Sequence, residues 1–391
     1  MKRHFVRRTL VSSLILGTLA SSASPAAGAT ARGRGGPQRC GPTWEIVPSP
    51  GPGDQGNSLG SVVAFSATDA WAAGTYTHFN PFPQLETRPL FTHWDGSGWL
   101  EIPNNSSPGT HFITGMTGID PNNLWAVGPA GYIEHWDGVS WSEISAPDLG
   151  VANLSGVSGA GADDIWTAGS YYPGPRAQTF IAHWDGSTWA QVASPNRGTQ
   201  DNYLYDVAAL DATHAWAVGT YTGGNGTSRA LVERWDGTAW TIVPVKSPTT
   251  ISLYPVAVAA PNIGSALMAG WSADQGGSAL TLIERWNGAQ WRHGNSPNVP
   301  GLSNFLYDVA VGATRSAWAV GNAQPVLGGS AETLIERFSS GTWTIDSSAN
   351  EQGASNELRG VAASPDGDVW AVGDYVPSGQ PSLTLIEHLC L

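Results

Sequence analysis

Residues 204–240 read LYDVAALDATHAWAVGTYTGGNGTSRALVERWDGTAW, and this stretch returns along the whole chain. Its centre is Trp216-Ala-Val-Gly219. Near copies stand at Trp71–Gly74, Trp125–Gly128, Trp166–Gly169, Trp318–Gly321 and Trp370–Gly373, and a degenerate one, Leu267-Met-Ala-Gly270, fills the remaining gap. The start-to-start spacings are 54, 41, 50, 51, 51 and 52 residues, so the repeat has seven copies. About nine residues upstream of the centre lies a leucine and valine pair, as in Leu204-Tyr-Asp-Val207 and Leu306-Tyr-Asp-Val309. Downstream comes a β-branched run into Trp-Asp-Gly, as in Ile133-Glu-His-Trp-Asp-Gly138 and Leu231-Val-Glu-Arg-Trp-Asp-Gly237. A second Trp follows at Trp99, Trp141, Trp189, Trp240 and Trp291, and a Ser-Pro stop such as Ser194-Pro195 closes the unit.

Each unit reads as four short strands rich in Val, Ile, Trp and Thr, cut by Gly, Asp, Asn and Pro turns. Asp-Gly between two Trp-bearing runs is a hairpin signal. Four strands in about 50 residues, seven times over, predict an all-β fold: a seven-bladed β-propeller with four-stranded blades. A stacked solenoid is the alternative, and it would need capped ends. The ends of the chain instead match two parts of one unit. Thr43-Trp-Glu-Ile-Val-Pro-Ser-Pro50 resembles a fourth strand, and Leu385-Ile-Glu-His388 is a third strand with no fourth after it. The N-terminal strand 43–50 is therefore expected to complete the last blade. Cys40 lies four residues before Trp44, as Asp95 lies before Trp99. Cys390 lies two after His388, as Asp95 lies two after His93. Both cysteines thus fall where the missing hairpin would be. A Cys40–Cys390 disulfide is expected there, worth on the order of 5 kcal/mol in the chain-entropy account.

The N-terminus predicts export. MKRHFVRR, then TLVSSLILGTLASS, then ASPAAGA give a basic start, a short apolar run and an Ala27-Gly28-Ala29 cleavage pattern. Residues 1–29 are read as a secretory signal, 30–42 as a flexible segment and 43–391 as one propeller. Arg7-Arg8 leaves the general and twin-arginine routes both open. The expected location is extracellular, where a disulfide is chemically permitted. Charged residues make up 13% of the 391, about half the usual ~25%. Net charge is −13, and removing the first 29 residues gives 14 − 31 = −17. A body this acidic repels phosphate backbones and anionic bilayers, so neither nucleic acid nor membrane is an expected partner. A monomer is expected.

The repeated tryptophans are read as packing between blades. The third-strand pairs Glu134-His135, Glu233-Arg234, Glu284-Arg285, Glu336-Arg337 and Glu387-His388 are read as buried hydrogen-bonded ties. Thr92, Ala182, Phe338 and Ser339 depart from that pattern. His93, His135, His183 and His388 lie about 50 residues apart, without metal-ligand spacing, so no metal or other cofactor is expected.

Recognition is expected elsewhere. Loops joining second to third strands and fourth to next first strands share one face, and they vary: TYTHFNPFPQLETRP after Gly74, SYYPGPRAQ after Gly169, only Pro129-Ala-Gly131 after Gly128. Variable loops on a regular frame present recognition elements. The residue after each first-strand leucine (Ile113 in the second unit) is placed at the channel mouth: Gly60, Thr114, Ser155, Tyr205, Tyr254, Tyr307 and Arg359. With Arg197, Asp201, Asn202 and Asn304 nearby, the aromatic, amide and charged groups suit a polyhydroxylated ligand. The same groups also admit a bland reading, as strand packing and turn caps. For catalysis, Asp206 with Asp308 is the best carboxylate pair, with Glu357 a third candidate.

The Trp-Ala-Val-Gly and Trp-Asp-Gly-x-x-Trp phrases resemble those of secreted bacterial β-propeller repeat proteins. They are distantly similar to kelch and WD-type propellers, without the regular double Gly of the first or the Gly-His start of the second. Asp95-Gly-Ser-Gly-Trp99 is also similar to a phrase of six-bladed fucose lectins, whose site is not transferred because the blade count differs. The resemblance implies an architecture and not an activity. The expected function is an extracellular binding protein for a glycan or a surface protein. A polysaccharide-acting hydrolase or lyase, working at the channel mouth, and a structural envelope protein are the alternatives.

Overall fold

The computed structural model of this chain describes residues 41–79, 84–104, 111–146, 152–246, 251–273, 278–312 and 316–390. The expected signal at 1–29, most of the segment 30–42, and Cys40 lie outside the described residues.

Seven four-stranded antiparallel sheets stand in sequence order. Blade four is representative, with strands Asn202–Asp211, His214–Thr222, Ser228–Trp235 and Trp240–Ile242, running from the inner strand outward. Seven apolar clusters are each shared by two neighbouring blades, and one of them joins blade seven (Trp370, Val372, Ile386) to blade one (Leu59, Trp94, Trp99). An open stack of seven units would have six such interfaces. The seventh closes the ring and removes the solenoid alternative. In the last blade, Glu45 and Ile46 pair antiparallel with His388 and Glu387, and Val47 N donates to Ile386 O at 2.8 Å. The paired segment is two residues long rather than the whole of 43–50, because Pro48 and Pro50 carry no amide hydrogen for a ladder.

Two devices explain the recurrent phrase. The first is its glycine. In all seven blades a Cβ on that residue would lie 1.9–2.2 Å from a backbone carbonyl oxygen of the inner strand or, at Gly128, of Phe112 just before it; at Gly219 the oxygen is that of Tyr203, at 2.0 Å. The inner strand bulges at this height. Leu204 pairs with Gly219 and Asp206 with Val218, so Tyr205 is the extra residue, turned toward the channel. The second is the tryptophan. Trp71, Trp125, Trp166, Trp216, Trp318 and Trp370 are at most 3% exposed. Trp216 shows the pattern: Arg234 of its own blade lies 5.4 Å over one side, while Trp286 and Trp291 of the next blade meet it at 58° and 80°. Elsewhere His93, His135, His183 and His388 take the place of the arginine.

The third-strand pairs are two separate ties, because adjacent strand residues point to opposite faces. In every pair but Glu284-Arg285 the His or Arg packs on the tryptophan. His93 and His183 are further anchored by Asp69 and Asp164 at 3.0 and 2.8 Å. The Glu turns the other way, and in three of the five pairs it takes a hydroxyl from the Ser stop of the preceding blade: Ser194 to Glu233 (2.9 Å), Ser296 to Glu336 (2.8 Å) and Ser348 to Glu387 (2.9 Å). These carboxyls have no exposed surface. Burial pushes Glu233 up to about 8 and Glu336 and Glu387 up to about 7. Folding therefore favours the protonated form. The stability each contributes is complete below its unfolded value near 4.5 and is lost as pH rises through 7 to 8. The thermal midpoint is expected to fall from pH 5 to pH 8, with a limiting slope of roughly 1.4 kcal/mol per pH unit for each group. Calorimetric melts across this range check it, and Glu233→Gln should flatten the decline.

Candidate functional site

The inner strands wall a channel with a cavity of about 360 Å³. Six of the seven expected mouth residues line the channel: Gly60, Ser155, Tyr205, Tyr307 and Arg359 at the bulge, and Thr114 just before the inner strand of blade two. Tyr254 does not. In blade five Pro255, not Leu253, pairs with the phrase's glycine, Gly270, so Val256 is the bulged residue. Tyr254 instead matches Tyr203 and Phe305, one place before the strand's anchor.

That shift gives Tyr254 a different neighbour. Its ring stacks on Trp271 at 5.3 Å and 19°. Trp271 meets Phe305 and Tyr307 edge-on at 5.5 and 5.9 Å. On the other side Tyr203 lies parallel to Tyr205 at 6.4 Å, and its hydroxyl is 3.2 Å from that of Tyr172. A half-exposed aromatic wall thus crosses blades four to six on the face of the variable loops. Trp271, Phe305, Tyr203 and Tyr172 were not singled out by spacing. The available signal was the aromatic residue immediately after Gly270, where the other copies carry Thr, Pro, Ser, Asn or Asp.

Beside the wall lies a charged group. Arg359 Nη2 donates to Glu357 Oε2 and Arg359 Nε to Asp374 Oδ1, both at 3.0 Å. Tyr307 lies close enough to Glu357 to feel its charge. Burial raises both Glu357 and Tyr307 above their ordinary values, and the Glu357 charge adds to the shift on Tyr307. A raised tyrosine is a poor base near neutrality, while this cluster offers donors and acceptors in fixed positions.

Other expected residues serve the frame. Asp206 accepts from Val207 N and, in blade five, from Val258 N, each at 2.8 Å. Asp308 accepts from Val309 N at 2.7 Å and, in blade seven, from Val361 N at 2.8 Å. Each carboxylate staples its blade to the next, taking one amide on each oxygen, and both residues line the channel. Burial pushes Asp206 up to about 8, helped by the charge of Asp308, and Asp308 up to about 7. Asn202 and Asn304 are 1% and 0% exposed and pin the loops entering their strands. Asn202 accepts from Arg197 N and Asn304 from Val299 N, both at 2.8 Å. Asp201 caps Ala177 N at 3.0 Å and reaches Arg176 at 3.4 Å. Arg197 lies over the Tyr221 ring at 5.0 Å.

Among the described residues Asp368, His388 and Cys390 bring possible metal-ligand atoms within 4.8 Å of one another. His388 lies flat on Trp370 at 3.7 Å and 5°, with Nε2 3.3 Å from Asp368, so the trio reads as packing at the ring joint.

No family model and no curated protein matches the sequence. Solved structures do match the fold. A structure of U3-55K is 10% identical with a TM-score of 0.57, covering 90% of this chain and 100% of that one. The RRP9 WD40 repeats are 10% identical at 0.55, covering 88% and 97%. A chain of a mitotic checkpoint complex is 13% identical at 0.54, covering 97% and 99%. At such identities the likeness is one of propeller architecture.

Proposed function

We propose that this protein is an extracellular binding propeller whose variable-loop face takes a polyhydroxylated ligand, a glycan. The observation that carries this reading is the continuity of the Tyr254–Trp271–Phe305–Tyr307 wall with the Glu357–Arg359–Asp374 cluster. Aromatic faces stack on the C–H surfaces of a sugar ring, and a fixed carboxylate and guanidinium take its hydroxyls. The engaged state of Asp206 and Asp308 counts against a hydrolase, and the raised Tyr307 against a lyase. A protein partner is the competing binder. The fold commonly serves protein contacts, as in the checkpoint assembly, and the exposed Val326 and Leu327 tip the variable-face hairpin of blade six.

A glycan array followed by calorimetric titration tests this. A positive glycan should bind with no new reducing ends or unsaturated products. Trp271→Ala should weaken it by about ten- to a hundredfold, in line with ~1–3 kcal/mol for a lost stacking face. Unchanged affinity in that variant removes the wall from the site, and turnover revives the enzyme reading.

A further inference from the structure

Blade five breaks the rule that every other blade keeps. Leu267 stands where six blades have a buried tryptophan, and a cleft of about 1340 Å³ opens there between blades five and six. It lies on the face opposite the variable loops. Arg285 is cross-strand from Leu267, in the position where Arg234 covers the indole of Trp216. Among the described residues no ring lies beneath that guanidinium, and Arg285 is exposed. Across the cleft the next blade still presents its aromatic pair, Phe338 and Trp343, with centroids 5.4 Å apart at 48°. The walls that sandwich an indole elsewhere are therefore present, with a leucine between them.

The charge of the cleft is the second observation. Arg285, Arg292 and Arg337 line it, three of the eleven Lys and Arg residues beyond residue 40 in an acidic chain. Arg285 and Arg292 are directly opposed across adjacent strands, a pairing that costs stability. Neither has a carboxylate within 4.0 Å among the described residues. A sequence that breaks a local rule without compensation within the fold does so characteristically at a functional site.

We infer that this cleft binds a small aromatic carboxylate. The ring enters between Arg285 and the Phe338–Trp343 pair, taking the place an indole holds in the other blades. The carboxylate faces the Arg285–Arg292 pair, which can take it through paired N–H donors. The site does not depend on the variable-loop face.

Calorimetric titration with indole-3-acetate tests the inference, with tryptamine and acetate as controls for charge and ring. One saturable site per chain is expected for indole-3-acetate, with at least tenfold weaker binding of each control. Leu267→Trp restores the residue of the other blades. It should raise the melting temperature and abolish binding. Arg292→Ala, at an exposed position, should weaken binding about tenfold without lowering the melting temperature. Absence of indole-3-acetate binding, equal binding of tryptamine, or full binding by Leu267→Trp would each overturn the assignment. None of these variants should alter a ligand held on the opposite face.

Discussion

Gly219→Ala is expected to abolish stable folding of the propeller. A methyl at this position would sit 2.0 Å from the Tyr203 carbonyl oxygen and 2.7 Å from Leu204 Cα. The obstacle is backbone, so no rotamer relieves it. The inner and second strands would have to part by more than an ångström where both are buried and hydrogen-bonded. Overpacking of a core by one methylene already costs about 1–3 kcal/mol. Here a ladder must break as well, and a loss beyond ~4 kcal/mol is expected. The equivalent changes at Gly270 and Gly373, where the oxygen is 1.9 Å away, should behave alike. Gly98→Ala is the control: nothing lies within 4 Å of its added carbon, and its stability should stay within about 0.5 kcal/mol of the parent. Chemical denaturation of purified variants reads both. A folded Gly219→Ala protein of near-parent stability would mean that the strand contact is not as tight as described.

The second large effect is expected at the ring joint. Removing residues 1–47 takes away the outer strand of blade seven and leaves the Leu383–Leu389 edge unpaired. It also removes Trp44, 6% exposed in the core shared with Trp318, Val369 and Leu389. Truncation of a buried tryptophan alone costs about 3–5 kcal/mol, the expected effect of Trp44→Ala. The deletion adds a bare, apolar strand edge, so concentration-dependent association should accompany lower stability. Light scattering and melting curves distinguish the two variants. The expected Cys40–Cys390 bond would act on the same joint. Cys390 N donates to Gly41 O at 3.3 Å, which brings the two ends of the chain together. Alkylation of the unreduced protein should add no mass, and reduction should lower the melting temperature. Mass added without reductant would refute the bond.

The candidate site was partly legible in advance. Counting from each strand's leucine places Tyr205, Tyr307 and Arg359 correctly at the channel, because those strands carry the same bulge. It misplaces Tyr254, since in blade five Pro255 and not Leu253 meets the glycine. Asp206 and Asp308 look like a catalytic pair in one dimension. Their second partners, Val258 and Val361, lie about 50 residues further along the chain, in the next blade, and nothing local announces them.

The amino-acid sequence by itself determined the number of blades, their four-strand composition and the packing role of the tryptophans. Those features repeat, and a repeat of this period can bury its apolar faces only against its own neighbours. The tertiary structure alone decided which polar groups remain available and where the ring is interrupted. Both depend on contacts between one blade and the next: a carboxylate closing on a distant amide, or a leucine standing cross-strand from Arg285 where the other blades place an indole. Such contacts follow from register and shape across an interface, which residue spacing within one repeat does not encode.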